Sequence, residues 1–454
     1  MSLVRSIGRW AMAALVVNCI IGSAIYGIPS ELTGLLGRAS PLVMVGAGLA
    51  MATIMLSFAE VASQFSDPGG PYLYVRTAFG RFAGLQVAWF WLLSVVAAAG
   101  AAANLFTSYL AGMLPSVEHG IWRTLLMTIL IAVPLMANWV GARSGAALSS
   151  VLTVAKVLPL ALLIVFGLIR FGPHAQLVHA SEITAPGWKP WLTALLVVFF
   201  AYSGFEDAIV PAGEVKNPKR AMPFAILVGL LVSMVVYTLV QFVSAAAAGA
   251  GHGDRPLADV ASLLIGRGGE TFVEIAAMLS TYGYISATVL SAPRLACAFA
   301  AHGDGPAFLG KLHHRRHTPT LAIAIYAASV WVLALTGTFR WALELSVGAS
   351  TIYFAGVCAT LIRLRKLHPQ VDAVRIPLGP VWAVAGIALS LLLITQLNLR
   401  EILLMGVTAL IATANWVWAK RRHSSMRNGL KSSGAVGASS GDVAGDDRFA
   451  ELRE

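Results

Sequence analysis

Gly22-Ser23-Ala24-Ile25-Tyr26-Gly27-Ile28-Pro29 interrupts an apolar run that begins at Trp10 and continues to Leu36. A plain membrane anchor has no need of such a stretch, because glycine weakens a helix and proline removes a backbone donor. A second interruption, Ala201-Tyr202-Ser203-Gly204-Phe205-Glu206-Asp207 with Pro211 soon after, follows about 180 residues later. Unwound backbone at membrane depth is tolerated only where it is buried in protein or lines a cavity. There it frees N–H groups on one half-helix and carbonyls on the other, which suit a carboxylate and an ammonium respectively. Each interruption opens a block of five apolar runs, as an inverted repeat would. Close helix packing through small residues is the alternative for either break alone.

The rest of the chain supports a membrane setting. Of 454 residues, 57% are hydrophobic and only 12% charged, with a mean hydropathy of +0.76. Soluble chains carry roughly a quarter charged residues, and disordered chains are poor in apolar ones. Twelve apolar runs are bounded by charged or Gly/Pro-rich breaks: 10–36, 41–66, 82–113, 120–140, 147–169, 190–213, 222–249, 268–301, 319–337, 342–362, 378–398 and 400–419. Helices of about twenty residues suffice to cross a bilayer. The expected fold is therefore an all-α integral membrane protein with 12 transmembrane helices.

The formal charge of +11 follows the loops. Eighteen Lys/Arg residues fall on the side of the N-terminus and eight on the other side, leaving aside the C-terminal tail and two residues within spans. That excess predicts a multi-pass protein of the cell's inner (cytoplasmic) membrane with both termini in the cytoplasm. Nucleic acid is not needed to explain the charge. Residues 1–9 form the cytoplasmic N-terminus, and 423–454 read as a disordered cytoplasmic tail rich in Ser, Gly and charge. A signal peptide cleaved near Gly22-Ser23-Ala24 is the alternative for the first run, but the apolar residues continue past that site.

Few residues offer other chemistry. Cys19, Cys297 and Cys358 lie in apolar runs without ligand spacing, and His313, His314 and His317 sit among Arg315 and Arg316 as a solvated basic loop. No metal or cofactor is expected. A membrane-embedded enzyme would show paired carboxylates or a His/Asp cluster, and the short loops hold none; a G-x-S-x-G elbow is also absent.

Two charges lie too deep to be topology signals. Lys156 stands 13 residues after Arg143 and 14 before Arg170, roughly 20 Å from either end at 1.5 Å per residue. Its side chain cannot snorkel out over that distance. A mid-span ammonium costs about 2.5–3.5 kcal/mol on the insertion scale, so it should face the bundle interior with partners. It reads either as a coupling residue able to exchange a proton or as a strut bonded to carbonyls. Glu206, 10 residues before Lys216, either caps freed N–H groups at the second break or shuttles protons. Glu60 is expected to pair with a basic loop residue, and Arg294 to gate or pack.

Several of these stretches resemble a known family. Ile21-Gly22-Ser23-Ala24 is similar to the first-span G-S-G signature of the amino acid–polyamine–organocation superfamily, and Phe200 through Glu206 to its F-x-x-x-G-F-E pattern. Glu214-Val215-Lys216-Asn217-Pro218-Lys219-Arg220 resembles its E-x-K-N-P-x-R loop, and Glu60 through Gly80 its E…GG-x-Y-x-Y-x-R-x-A-F-G stretch. The resemblance implies an amino acid permease with a five-plus-five inverted repeat, the first and sixth helices broken, and two extra helices. The first repeat would occupy 10–169, the second 190–362 and the extra helices 378–419.

The same resemblance implies the site. N–H groups around Gly22, Ser23 and Ala24, with Ile21 and Ile25 flanking, would receive an α-carboxylate. Carbonyls near Ile21 and from Phe200, Ala201 and Ser203, with Tyr202 and Gly204 alongside, would receive the α-amino group. Phe200 falls at the family's aromatic lid, and Lys156 matches a lysine of sodium-independent members that replaces a coupling sodium. Three departures stand out. Ala24 replaces a glycine, Asp207 replaces a small residue, and Ala300-Ala301-His302-Gly303 replaces A-R-D-G, with both charges of that inner gate expected to be lost.

The expected function is secondary active transport of an amino acid by alternating access, sodium-independent and driven by proton symport. Exchange against a counter-substrate, or permeation of a polyamine or other amine, are alternatives; a non-transporting sensor and an enzyme are more remote. No P-loop appears to supply ATP. With no unambiguous extra charge toward the pocket, a neutral amino acid is favoured at this point.

Overall fold

The computed structural model describes the chain except for residues 1–7, 66–68, 141–142, 173–186, 210–214, 248–252, 302, 307, 309–310, 312–317, 368–373 and 435–454. Side chains at 140, 143–155, 290, 294, 296, 298, 301 and 422–434 also lie outside the description. The expectations for Arg294, Glu214, the His313–His317 loop and most of the tail therefore fall outside it.

The described residues are helical, with no strand among them. The first apolar run gives α1 (Arg9–Ile20), α2 (Ala24–Gly27) and α3 (Pro29–Leu36); α4 (Ser40–Ala62), α5 (Gly70–Phe79), α6 (Arg81–Met113), α7 (Gly120–Val140) and α8 (Arg143–Phe171) follow. The second broken run gives α9 (Trp188–Tyr202) and α10 (Phe205–Ile209). Then come α11 (Pro218–Ala246), α12 (Pro256–Ile265), α13 (Arg267–Ala301), α14 (Thr320–Thr336), α15 (Phe339–Leu367), α16 (Gly379–Ile394) and α17 (Leu399–Gly434). Proline sits at the first or second position of α3, α4, α5, α11, α12 and α16. Its missing N–H costs nothing there, and its φ is already helical.

Each of the twelve apolar runs is helical over most of its described residues, but only nine helical stretches among the described residues are long and apolar enough to cross a membrane. α14 and α16, at 17 and 16 residues, are shorter. Two helices lie where the sequence suggested loops, α5 and α12, because each is only 10 residues long and separates spans. At the far end α17 continues to Gly434. The tail therefore does not begin at His423 as a break in structure: no proline stops a helix already 24 residues long from propagating into polar sequence.

Apolar side chains cover both surfaces. Ile121 is 74% exposed and Leu410 71%, as expected of helix faces that meet hydrocarbon rather than water. One continuous core runs through the bundle, in which α15 packs along α6, and α11 along α4 and α1. Tyr26, Tyr202, Tyr237 and Tyr353 are fully buried in it. Buried tyrosine hydroxyls need partners, and those of Tyr237 and Tyr353 find theirs at the two breaks.

Candidate functional site

The first helix stops because Gly22 N–H turns back to the Ile20 carbonyl at 2.7 Å instead of continuing the ladder. That leaves the carbonyl of Asn18 without its helical partner. The ammonium of Lys156 on α8 takes its place at 2.5 Å. A cation at a helix C-terminus opposes the partial negative charge of the last carbonyls. The Tyr26 hydroxyl donates to the Lys156 carbonyl at 2.8 Å, and that of Tyr109 donates to the Tyr26 carbonyl at 2.7 Å, so α2 is held from α8 and α6. Lys156 is buried, faces the interior and has a carbonyl partner, as its depth required.

The second break has a different cause. Gly204 adopts φ +100°, and a Cβ there would lie 2.6 Å from the carbonyl oxygen of Cys19. Only glycine satisfies both the left-handed backbone and this approach of main chain to main chain. Glu206 answers the break from within: Gly204 N–H donates to its Oε2 at 2.9 Å, and the Tyr353 hydroxyl to its Oε1 at 2.6 Å. Of the two roles weighed for Glu206, the cap for freed N–H groups is the one with partners on both oxygens.

Tyr237 of α11 joins the breaks. Its hydroxyl oxygen lies 2.6 Å from the Ile20 carbonyl and 3.0 Å from the Ala201 carbonyl, and can donate to either. One helical turn on, the Gln241 amide lies 2.8 Å from Ser40 Oγ and 3.1 Å from Thr33 Oγ1, tying down α3.

Between the breaks lies a small cavity. Of the twelve sequence-designated residues, Gly22, Ser23, Ala24, Phe200, Ser203, Gly204 and Glu206 line it. Ile21, Ile25, Ala201 and Tyr202 are packed behind it, and Tyr202 donates to the Met44 carbonyl at 2.9 Å. Lys156 stands behind α1, outside the lining. Two of the expected amine acceptors already hold a partner: Phe200 O accepts from Ser203 N–H at 3.2 Å and Ala201 O from Tyr237. Each keeps one lone pair. None of the described hydrogen bonds uses the N–H of Ser23 or Ala24.

Sequence reasoning missed Ser94, Ser346, Tyr284 and Asp207 as lining residues. Ser94 and Ser346 clasp α6 to α15 through mutual hydroxyl–carbonyl bonds of 2.9 and 3.1 Å. A serine in a long apolar helix carries no mark of which face it occupies, so no signal pointed to them.

At one end of the bundle the structure corrects an expectation. The A-R-D-G position does not lose its carboxylate; it shifts by two residues to Asp304. Gly303 at φ +68° ends α13, and Asp304 N–H turns back to the Phe299 carbonyl at 2.8 Å. Fully buried, Asp304 accepts from Arg81 Nε at 2.7 Å and from the Tyr72 hydroxyl at 2.6 Å, with Arg76 Nε at 3.2 Å. Burial and this bond hold the Tyr72 phenol above its ordinary pKa, so it stays a donor. Glu60 is structural as expected, but its partner belongs to a helix rather than a loop: Arg365, near the end of α15, grips both oxygens at 2.6 Å. At the other end Arg340 joins Glu31 of α3 to Glu344.

The sequence pattern of the amino acid permease family matches residues 7–419, which takes in both broken helices and the cavity. The chain belongs to the amino acid permease family. Among its relatives, the serine/threonine exchanger SteT of Bacillus subtilis strain 168 is 26% identical over 421 residues, covering 90% of this chain and 95% of the relative. The branched-chain amino acid permease BcaP of the same organism is 24% identical over 453 residues, covering 94% and 95%. Its methylthioribose transporter is 26% identical over 420 residues, covering 86% and 88%. The family and these relatives are transporters, not enzymes, and this chain is a multi-pass membrane protein of the same kind.

Proposed function

We propose that this permease moves a small amino acid or amine across the cytoplasmic membrane by alternating access, sodium-independently and with proton symport. The observation that carries the reading is the meeting of two broken helices on one cavity, each break held open by its own buried hydrogen bonds. In this reading the twelve apolar runs are twelve spans in a five-plus-five inverted repeat with two extra helices, both termini cytoplasmic. The free N–H groups of Ser23 and Ala24 take a carboxylate, the carbonyls beside Phe200 and Ser203 an ammonium, and Phe200 closes over the substrate. Asp304 with Arg81 bars one exit and Arg340 with Glu31 the other, so that one set must part at a time.

Lys156 supplies the coupling. Its ammonium holds the Asn18 carbonyl in the last turn of α1, and loss of its proton would release that end of the broken helix. The test is uptake into proteoliposomes with and without a pH gradient, at fixed sodium. Wild type should respond to the gradient, and Lys156→Ala should lose uptake or its pH dependence. Uptake by that variant with wild-type pH dependence would overturn the coupling role. Exchange is the second reading, favoured by the likeness to a serine/threonine exchanger; uptake that requires internal substrate and ignores the proton gradient would establish it.

A further inference from the structure

The cavity is lined by a second carboxylate that the fold engages only weakly. Asp207 lines it beside Glu206, yet the two carboxylates differ completely in how they are used. Glu206 spends both oxygens on the protein, on Gly204 N–H and the Tyr353 hydroxyl. Asp207 Oδ1 is buried and has no hydrogen-bond partner among the described residues. The indole N–H of Trp91 on α6 lies near Asp207, but it too is left unpaired by ordinary hydrogen-bond geometry.

Among the described residues, no cationic side chain lines the cavity to balance these acids. Lys156 is committed to the Asn18 carbonyl and stands outside the lining. The remaining polar lining consists of hydroxyls and one thiol: Ser23, Ser94, Ser203, Ser346, Tyr284 and Cys19. A carboxylate oxygen buried without a donor costs far more than one that is paired, and ionisable groups inside a membrane bundle mark substrate or ion paths. Trp91 offers Asp207 only a neutral N–H, so the positive charge that the described lining lacks is one that arrives with the substrate.

We infer that Asp207 receives a cationic nitrogen of the substrate other than its α-ammonium, so that this permease carries a cationic amino acid or a diamine rather than a neutral amino acid. The inference rests on the transport reading above. It reverses the preference for a neutral substrate drawn from sequence, where the orientation of Asp207 was not legible. The α-ammonium has its own acceptors in the carbonyls of Phe200 and Ser203, which line the cavity. Asp207 lies one residue beyond the Glu206 cap, where a side-chain ammonium or guanidinium would reach it. A bidentate guanidinium would also use the second carboxylate oxygen.

The experiment is competition for uptake in proteoliposomes by lysine, ornithine, arginine and putrescine against serine, threonine and leucine, in wild type and in Asp207→Asn. Wild type should be competed at least tenfold better by a cationic compound than by any neutral one. Asp207→Asn should lose at least tenfold in the cationic competitor's apparent affinity, with neutral competitors changed less than twofold. Asp207→Glu, which keeps the charge, should retain part of the preference. If Asp207→Asn does not fold, the wild-type competition panel and ligand-induced thermal shifts of wild type decide the matter alone. Preference for neutral amino acids in wild type overturns the inference while leaving the transport reading intact. A cationic preference unchanged in Asp207→Asn also overturns it, and assigns Asp207 to Trp91 instead. Uptake of none of these compounds refutes the transport reading itself, and the inference with it.

Discussion

Removing one oxygen from Tyr237 should show whether the two breaks act as one unit. In Tyr237→Phe the ring stays in its buried slot and only the shared hydroxyl is lost. The Ile20 carbonyl still accepts from Gly22 N–H at 2.7 Å, but no other described bond serves the Ala201 carbonyl, because the helical ladder is interrupted three residues on. One buried carbonyl left without a donor costs about 1–3 kcal/mol. With an unfolding entropy of roughly 2 cal/mol/K per residue, a chain of this length loses about 1 °C of Tm per kcal/mol. The expected drop in purified protein is therefore ~1–3 °C, with initial uptake at least halved. Tyr202→Phe is the control. Its hydroxyl serves the Met44 carbonyl, which already belongs to the ladder of α4, so no carbonyl is orphaned. If Tyr237→Phe matches wild type in both Tm and uptake, or Tyr202→Phe proves the more damaging, the bridge between breaks carries no weight.

Two further outcomes follow from the same geometry. Gly204→Ala should cost more than ~2 kcal/mol, from positive φ and the 2.6 Å approach to Cys19 O, and lower uptake at least tenfold; Gly46→Ala, in a helix with open space around it, should leave both unchanged or gain slightly. Uptake assays and thermal melts on the pair check this. Asp304→Asn should lower Tm by roughly 1–3 °C, less than a fully buried pair would give, because Arg76 and Arg81 are 25% and 32% exposed; a melt identical to wild type would remove Asp304 as a fastening of that end.

The sequence carried the fold further than the site. Apolar runs placed the helices because a bilayer demands long, uniform hydrophobic stretches, and the paired Gly/Pro interruptions located both breaks to within a residue or two. Lys156 was legible from depth alone, since no loop lay within reach. What escaped was everything set by the rotation of a helix about its axis. In an apolar run there is no polar face to fix that rotation, so Tyr237, Ser94 and Ser346 looked like any other residue of their spans. Asp207 was visible as an odd residue, but whether it faced the cavity depended on how Gly204 turned the chain. Asp304 escaped for a local reason. The gate pattern was read in strict register, and the chain carries the carboxylate two residues further on, just past a left-handed glycine.

The contact between Gly204 and the Cys19 carbonyl also limits how this protein can evolve. Most tight contacts pair two side chains, and a larger residue on one side can be accommodated by a smaller one on the other. Here the obstacle is a main-chain oxygen that every amino acid carries, so no substitution at position 19 makes room for a side chain at 204. A selection for revertants of Gly204→Ala should accordingly return glycine itself or changes that shift a whole helix, and no suppressor at Cys19.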